Sequence, residues 1–338
     1  MSNLPRIISL PETMANWPWP RYINAHYEEV KAQSDAWFKT FKPFTVASQR
    51  AFDKCDFEHL RTGCDLMNLF FVIDEYTDVE PAPVVREMVN IVIDALQNPH
   101  SPRPDGEIIL GEIARQFWER AIKSATLNSQ KHFIEAFTDY LDSVIEQAAD
   151  RDNDTIRSID SYFKTRRENI GARPSYVPAE LGLDIPDEAF YHPVITELSY
   201  YIAELIILDN DLASYNKEQA TGDDRQNILT IVMYQLGMDL EEAISWVADY
   251  HEEVEAKFLD GLKRVPSFGP RVDKQLEEYI LALGVWPRCN DCWNFESGRY
   301  FGDKGREIQK CREVALLPKT QVDASLKRDQ VVVPLVEL

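Results

Sequence analysis

Asn210, Ser214 and Glu218 stand at i, i+4 and i+8 in the stretch Asn210-Asp211-Leu212-Ala213-Ser214-Tyr215-Asn216-Lys217-Glu218. On a helix that spacing projects all three side chains from one face. An amide oxygen, a hydroxyl and a carboxylate are hard oxygen donors, the ligand type that Mg²⁺ prefers. A second stretch, Asp74-Glu75-Tyr76-Thr77-Asp78, sets Asp74 and Asp78 one helical turn apart. Two oxygen-rich faces that can converge on divalent cations imply chemistry on a diphosphate.

The places of these groups along their helices support a cation. Pro81 and Pro83 should end the first helix near Val79, and Gly222 should end the second. Asp74, Asp78 and Glu218 therefore fall in last turns, where the helix already carries partial negative charge. A carboxylate there is unfavourable by about 0.3–1 kcal/mol. Two helices with the same mismatch are accounted for if a metal restores the balance.

The elements that must carry the two faces are helical. Tyr27, Val30, Trp37 and Phe41 fall on one helical face, interrupted by Ser34; Leu66, Leu69, Phe70 and Ile73 recur at the same period. Further helical stretches run near 84–97, 107–124, 128–150, 153–167, 194–220, 226–236, 239–264 and 272–284, punctuated by Gly and Pro. No stretch alternates with a strand's period of two. The fold predicted is a single all-α domain, residues 25–315. Residues 1–24 carry Trp17-Pro18-Trp19-Pro20 and read as an extended arm held to the bundle by its indoles; residues 316–338 read as a tail.

Composition narrows the partners. Asp and Glu number 57 against 36 Lys and Arg, a net charge of −21. Such a chain is repelled by nucleic acid and by anionic membranes, and neither is expected as a partner. No run approaches the roughly 18 apolar residues needed to span a bilayer, and residues 1–13 lack a secretory pattern. With five cysteines, an odd number, a reducing, cytoplasmic setting is expected. Cys289-Asn290-Asp291-Cys292 has redox or zinc spacing but no second pair, and reads as packed thiols.

Taken together, the two motifs in an all-helical chain resemble the class I terpene cyclases, in particular fungal sesquiterpene synthases. The resemblance covers roughly residues 15–312. Asp74 to Asp78 is similar to that family's aspartate-rich motif; Asn210, Ser214 and Glu218 are similar to its second metal motif. The resemblance implies three Mg²⁺ ions, with Asp74 the main ligand of its motif and Glu75 and Asp78 more often standing behind it. It also implies a diphosphate grip from Lys217, from the pair Arg299-Tyr300, and from a sensing arginine in Tyr162 to Gly171. By register the sensor is Arg166, with Asn169 as linker and Ile170 or Gly171 as the effector turn; Arg167 is left open as the alternative. Asn169 departs from the Asp, Ser or Thr common at the linker.

An allylic diphosphate ionises only if the leaving group's charge is neutralised by fixed donors and cations. The carbocation left behind needs a closed, apolar pocket and gains from aromatic faces. Phe71 and Trp293, with Phe70 as a weaker candidate, are placed to line it. None of the six histidines lies in a motif; in the family the released diphosphate is often invoked as the base. The resemblance therefore implies a Mg²⁺-dependent cyclase of farnesyl diphosphate, closest in its motifs to the basidiomycete subgroup that includes protoilludene synthases, which work through a humulyl cation. Monomer and homodimer stay open. The alternatives are a chain-elongating prenyltransferase, which would need a second aspartate-rich motif, and a non-catalytic helical protein that binds an isoprenoid diphosphate.

Overall fold

Helix punctuation in the sequence reappears as capping. The computed structural model describes residues 6–21, 27–40 and 61–319. Its long helices are α1 (Tyr27–Lys39), α2 (Arg61–Thr77), α3 (Ala82–Gln97), α4 (Ile109–Ala121), α5 (Leu127–Asp152) and α6 (Ile159–Asn169). Three single-turn helices follow, α7 (Ala172–Ser175), α8 (Val177–Glu180) and α9 (Asp187–Phe190). Then come α10 (Pro193–Thr221), α11 (Ile228–Leu236), α12 (Leu240–Leu262), α13 (Pro270–Glu296) and the short α14 (Gly305–Cys311). Thr126 and Ser158 cap α5 and α6 through their hydroxyls, and Asp239 with Glu242 forms a reciprocal capping box on α12.

The all-α expectation holds, and α10 is its centre. Residues Ile202 to Asp209 of this helix are buried on every side, as a helix that is apolar all round must be. It packs against α12 and α13, while α2, α3, α4 and α5 build a second core around Leu69, Val85, Ile113 and Phe137. Ser34, the polar gap in the α1 stripe, is buried where it donates to Asp65 at 2.5 Å and accepts from Asn68 at 3.0 Å. Phe41, in the same predicted stripe, lies outside the described residues.

Several boundaries differ from expectation. Helix α2 stops at Thr77 rather than Val79, its last hydroxyl bonded back to the Ile73 carbonyl at 2.8 Å. Helix α6 starts at Ile159, not 153, because Ser158 is the residue that caps it. The single-turn helices between 172 and 190 were not foreseen. Helix α13 runs past 284, through Pro287, to Glu296. A proline there removes one ladder bond, but tertiary contacts hold the helix together: the neighbouring Gly284 carbonyl accepts the Trp17 indole N–H at 2.7 Å.

The arm is tied to α13 by more than its indoles. Arg288 donates to the carbonyls of Met14 and Trp17 at 2.7 and 3.0 Å, and Arg21 pairs with Glu296 at 2.8 Å. Trp17 and Trp19 pack on Phe258 of α12 with centroids 5.4 and 5.6 Å away. A two-stranded antiparallel sheet, absent from the sequence expectation, joins β1 (Ile7–Ser9) to β2 (Glu313–Ala315). Beyond β2, Leu317 docks on α10, accepting from Gln219 at 2.9 Å and donating to Asn216 at 2.8 Å. The rest of the predicted tail, from residue 320, lies outside the described residues, as does Cys55. No described helix is long and apolar enough to cross a membrane.

Candidate active site

The candidate site forms where the C-terminal part of α2 meets α6, α10 and the turn after α13. From α2, Phe71 stacks on Trp293 of α13 with centroids 6.2 Å apart and planes at 21°. Trp293 in turn meets Tyr300 edge-on at 6.0 Å. The Arg299 guanidinium stands 5.0 Å from the Phe71 ring centre. Both aromatics are half-buried, whereas Phe70 is buried against Phe137 and Tyr140. Phe70 is thus a core residue.

From α10, the Asn210 amide donates to the Tyr300 hydroxyl at 2.8 Å and accepts from Arg166 at 3.2 Å. Arg166 also donates to Asn169 at 2.6 Å, and its buried Nε has no hydrogen-bond partner. Burial opposes the guanidinium charge, but Tyr162, Asp211 and Glu218 outweigh it and hold the pKa above its ordinary value. Arg167 turns the other way, donating to the buried Glu204 at 2.7 Å. Gly171 closes α6 at φ 69°, and a side-chain carbon there would lie 3.1 Å from the Phe70 ring. Only glycine combines that backbone with that approach.

The two acidic faces share one electrostatic signature. Burial first, and then the neighbouring Asp78, push Asp74 up to about 7, against the pull of Arg299, a 3.2 Å hydrogen bond from Tyr140, and Arg166. Burial and Asp211 push Glu218 up to about 7 as well, against hydrogen bonds from Asn227 and Ser214 and the charge of Arg166. Asp78 is exposed, 3.6 Å from Arg151, and Lys217 is exposed too. These two expected site residues are less enclosed than the others.

Four contributors were missed in the sequence. Asp211 lies inside the motif and accepts from Tyr162 and, at 2.7 Å, from the backbone N–H of Ile228. Tyr162 and Tyr140 present hydroxyls to Asp211 and Asp74. Asn227 caps α11 and donates to Glu218 at 2.9 Å. A capping position is readable from sequence, but its second partner is not.

The donor set suits a divalent cation. Among the described residues no three His, Cys, Asp or Glu side chains group closely enough to hold a metal alone. On α10 the donors available are Asn210, Ser214 and Glu218, all uncharged or single-charge oxygen ligands on one face. A divalent cation would offset the burial that raises the Glu218 and Asp74 carboxyls and would favour their ionised forms.

The architecture is that of the helical isoprenoid synthases. It aligns with hedycaryol synthase in complex with nerolidol at TM-score 0.70 over 85% of this chain and 100% of the other, with 17% identity. The linalool/nerolidol synthase of Streptomyces clavuligerus aligns at TM-score 0.71 over 82% of this chain and 98% of its own, with 19% identity. At such identities the likeness is one of fold. In sequence, the profile described as terpene synthase family 2, C-terminal metal binding, matches residues 65–257, a span that includes Asp74 and Glu218. Sesquiterpene synthase 14 of Postia placenta (strain ATCC 44394 / Madison 698-R) is 74% identical across the whole of both chains. Delta(6)-protoilludene synthase 18 of the same fungus is 58% identical over 97% of each. Delta(6)-protoilludene synthase of Armillaria gallica is 49% identical over 92% of this chain and 94% of its own. The chain belongs to the terpene synthase family. It is a terpene cyclase, a lyase whose family description includes metal binding.

Proposed function

We propose that the chain is a Mg²⁺-dependent sesquiterpene synthase that ionises farnesyl diphosphate and cyclises the cation, through a humulyl cation, to a protoilludene-type hydrocarbon. The observation that carries the reading is the placement of Arg166. One guanidinium bonds both the α6 turn at Asn169 and the α10 donor Asn210, and keeps a buried N–H without a partner. That is a preformed donor for an anion beside hard oxygen ligands. The names of the sequence relatives support the sesquiterpene and protoilludene parts of the reading.

In this reading Asp74 on one side and Asn210, Ser214 and Glu218 on the other hold three Mg²⁺, with Asp78 supporting Asp74. When bound, Mg²⁺ supplies the positive charge that makes diphosphate a competent leaving group. Arg166, Lys217, Arg299 and Tyr300 donate to the diphosphate oxygens. The bond from C1 to oxygen breaks, its electron pair leaves with the diphosphate, and an allylic cation remains. Phe71 and Trp293 face that cation with stacked rings, an attraction of about 2 kcal/mol or more in the absence of water. Ring closure uses the substrate's own double bonds, and loss of a proton to the released diphosphate ends the reaction. Asn169, bonded to Arg166 and, at 3.2 Å, to Gln147, links the sensing arginine to the turn at Ile170 and Gly171.

The test is incubation of the purified protein with geranyl, farnesyl or geranylgeranyl diphosphate, with Mg²⁺ or EDTA, followed by gas chromatography and mass spectrometry. A cyclic C15 hydrocarbon from farnesyl diphosphate that vanishes with EDTA is expected. Elongated diphosphates on adding isopentenyl diphosphate, or no turnover of any substrate, would overturn the reading.

A further inference from the structure

Asn227 is fully buried at the start of α11, nine residues beyond Glu218 in the chain. Its side-chain oxygen caps the helix, accepting from the Leu229 N–H at 3.0 Å. With the oxygen committed, the NH₂ group must face α10. There it meets three acceptors: the Asp211 carbonyl at 2.9 Å, Glu218 Oε2 at 2.9 Å and Ser214 Oγ at 3.4 Å. The reverse orientation would set the amide oxygen against a carbonyl and a carboxylate, so the network assigns the amide unambiguously.

Resting on the reading of α10 as a metal face, we propose that Asn227 is a positioning residue for the metal ligands, one amide that orients the Glu218 carboxylate and the Ser214 hydroxyl together. One N–H is held by the Asp211 carbonyl; the other holds one oxygen of Glu218 and reaches the Ser214 hydroxyl only as a longer, shared contact. Glu218 keeps its other oxygen, and the serine hydroxyl, which bonds toward Glu218, keeps one lone pair. Each ligand thus presents a defined site to a cation instead of a choice of rotamers. The α11 end is fixed reciprocally, since Asp211 accepts from the Ile228 N–H at 2.7 Å.

Residue type discriminates this role from capping alone. Ser, Thr and Asp cap a helix about as well as Asn. None of them can cap with oxygen and also donate to a carboxylate: Asp would bring a further acceptor to the one at 2.9 Å, and the hydroxyls are too short to reach.

The experiment uses N227S, which keeps a cap and loses the NH₂ group. Binding of Mn²⁺ in the presence of inorganic diphosphate is read by electron paramagnetic resonance on the full-length protein, for the parent, N227S, Glu218→Gln and the double variant. Partners that orient metal ligands alter affinity by about 10–100-fold when removed, and N227S is expected in that range. The double variant is expected within about twofold of Glu218→Gln, because Asn227 acts through that ligand. Parent-like affinity in N227S, or two losses that multiply, would overturn the proposal. A parent that binds no Mn²⁺ would overturn the metal face itself, and with it the proposal; the parent measurement alone tells the two failures apart. N227T, which caps equally and fills more space, carries the same test if the serine variant does not fold.

Discussion

Adjacent arginines on α6 should respond to substitution differently in turnover. Arg167→Met removes the partner of Glu204, whose residue is 2% exposed and which would retain only the Tyr250 hydroxyl at 3.2 Å. Breaking a buried pair costs about 3–5 kcal/mol. The Arg167 side chain is 33% exposed, so solvent relieves part of this, and about 2–3 kcal/mol is expected. That is a sizeable share of a total stability of about 5–15 kcal/mol. Arg166→Met leaves Asp211 its bonds from Tyr162 and the Ile228 N–H but removes its cationic neighbour at 3.6 Å, so a similar cost of about 2–3 kcal/mol is expected. Turnover should separate the two. Loss of the Arg166 donor should lower kcat by about 10²–10³, the range for a preorganised charge-stabilising donor, whereas folded Arg167→Met should turn over within a few-fold of the parent. Urea unfolding and product formation from farnesyl diphosphate measure both quantities. A folded Arg167→Met enzyme that has lost turnover, beside an active Arg166→Met, would refute the assignment.

Three further substitutions probe separate parts of the molecule. Trp293→Leu should change the ratio of hydrocarbon products, read by gas chromatography, because the indole stacks on Phe71; an unchanged profile would place it outside the pocket lining. Asp291→Asn should change the pH dependence of stability. Burial and Asp209 push Asp291 up to about 6, against the attraction of Arg312 and Arg288. A folded pKa above the unfolded value of about 4 contributes stability that is complete below about pH 4 and is lost as pH rises through about 6. Two pK units correspond to about 3 kcal/mol, so the variant should gain up to that much on the parent by pH 7; parallel urea midpoints from pH 4 to 8 would refute it. Gly284→Ala should cost about 1–3 kcal/mol by overpacking, because the new methyl would meet the Trp19 ring at 2.4 Å while that ring is flanked by Trp17 and Phe258. Tryptophan fluorescence and limited proteolysis near residue 21 should report release of the arm.

What could be read in advance was what local periodicity encodes. The α10 donors sit at helical spacing, and the apolar run before them marks a buried helix, so both the element and the face that carries those oxygens were visible. The aromatic pair Phe71 and Trp293 was reachable because each lies one or two turns from a motif. Choosing between Arg166 and Arg167 was not possible from neighbours in sequence, since the choice depends on whether Asn210 or Glu204 receives the guanidinium. Asn227 fell inside the helix expected from 226, so neither its capping nor its bond to Glu218 was read. Phe70 was the weaker candidate beside Phe71, and the two rings point to different faces of α2, one into Tyr140 and one toward Trp293. Helix α13 was cut short because Pro287 weighs heavily in any local reading, while the contacts that carry the helix through it come from the distant arm. Strands of three residues leave too little pattern to detect.

That arm has a consequence for biosynthesis. Trp17 bonds to a carbonyl 267 residues later in the chain. At ribosomal rates of about 5–20 residues per second, its docking surface is completed on the order of 10 to 50 seconds after the arm is made. For that interval two indoles are waiting without their α13 partners, an invitation to misassembly with other nascent segments. Pro18 and Pro20 sit between and after the indoles, and neither has an N–H to lend to a strand. The alternation of tryptophan and proline thus joins adhesion in the finished enzyme to restraint during its synthesis.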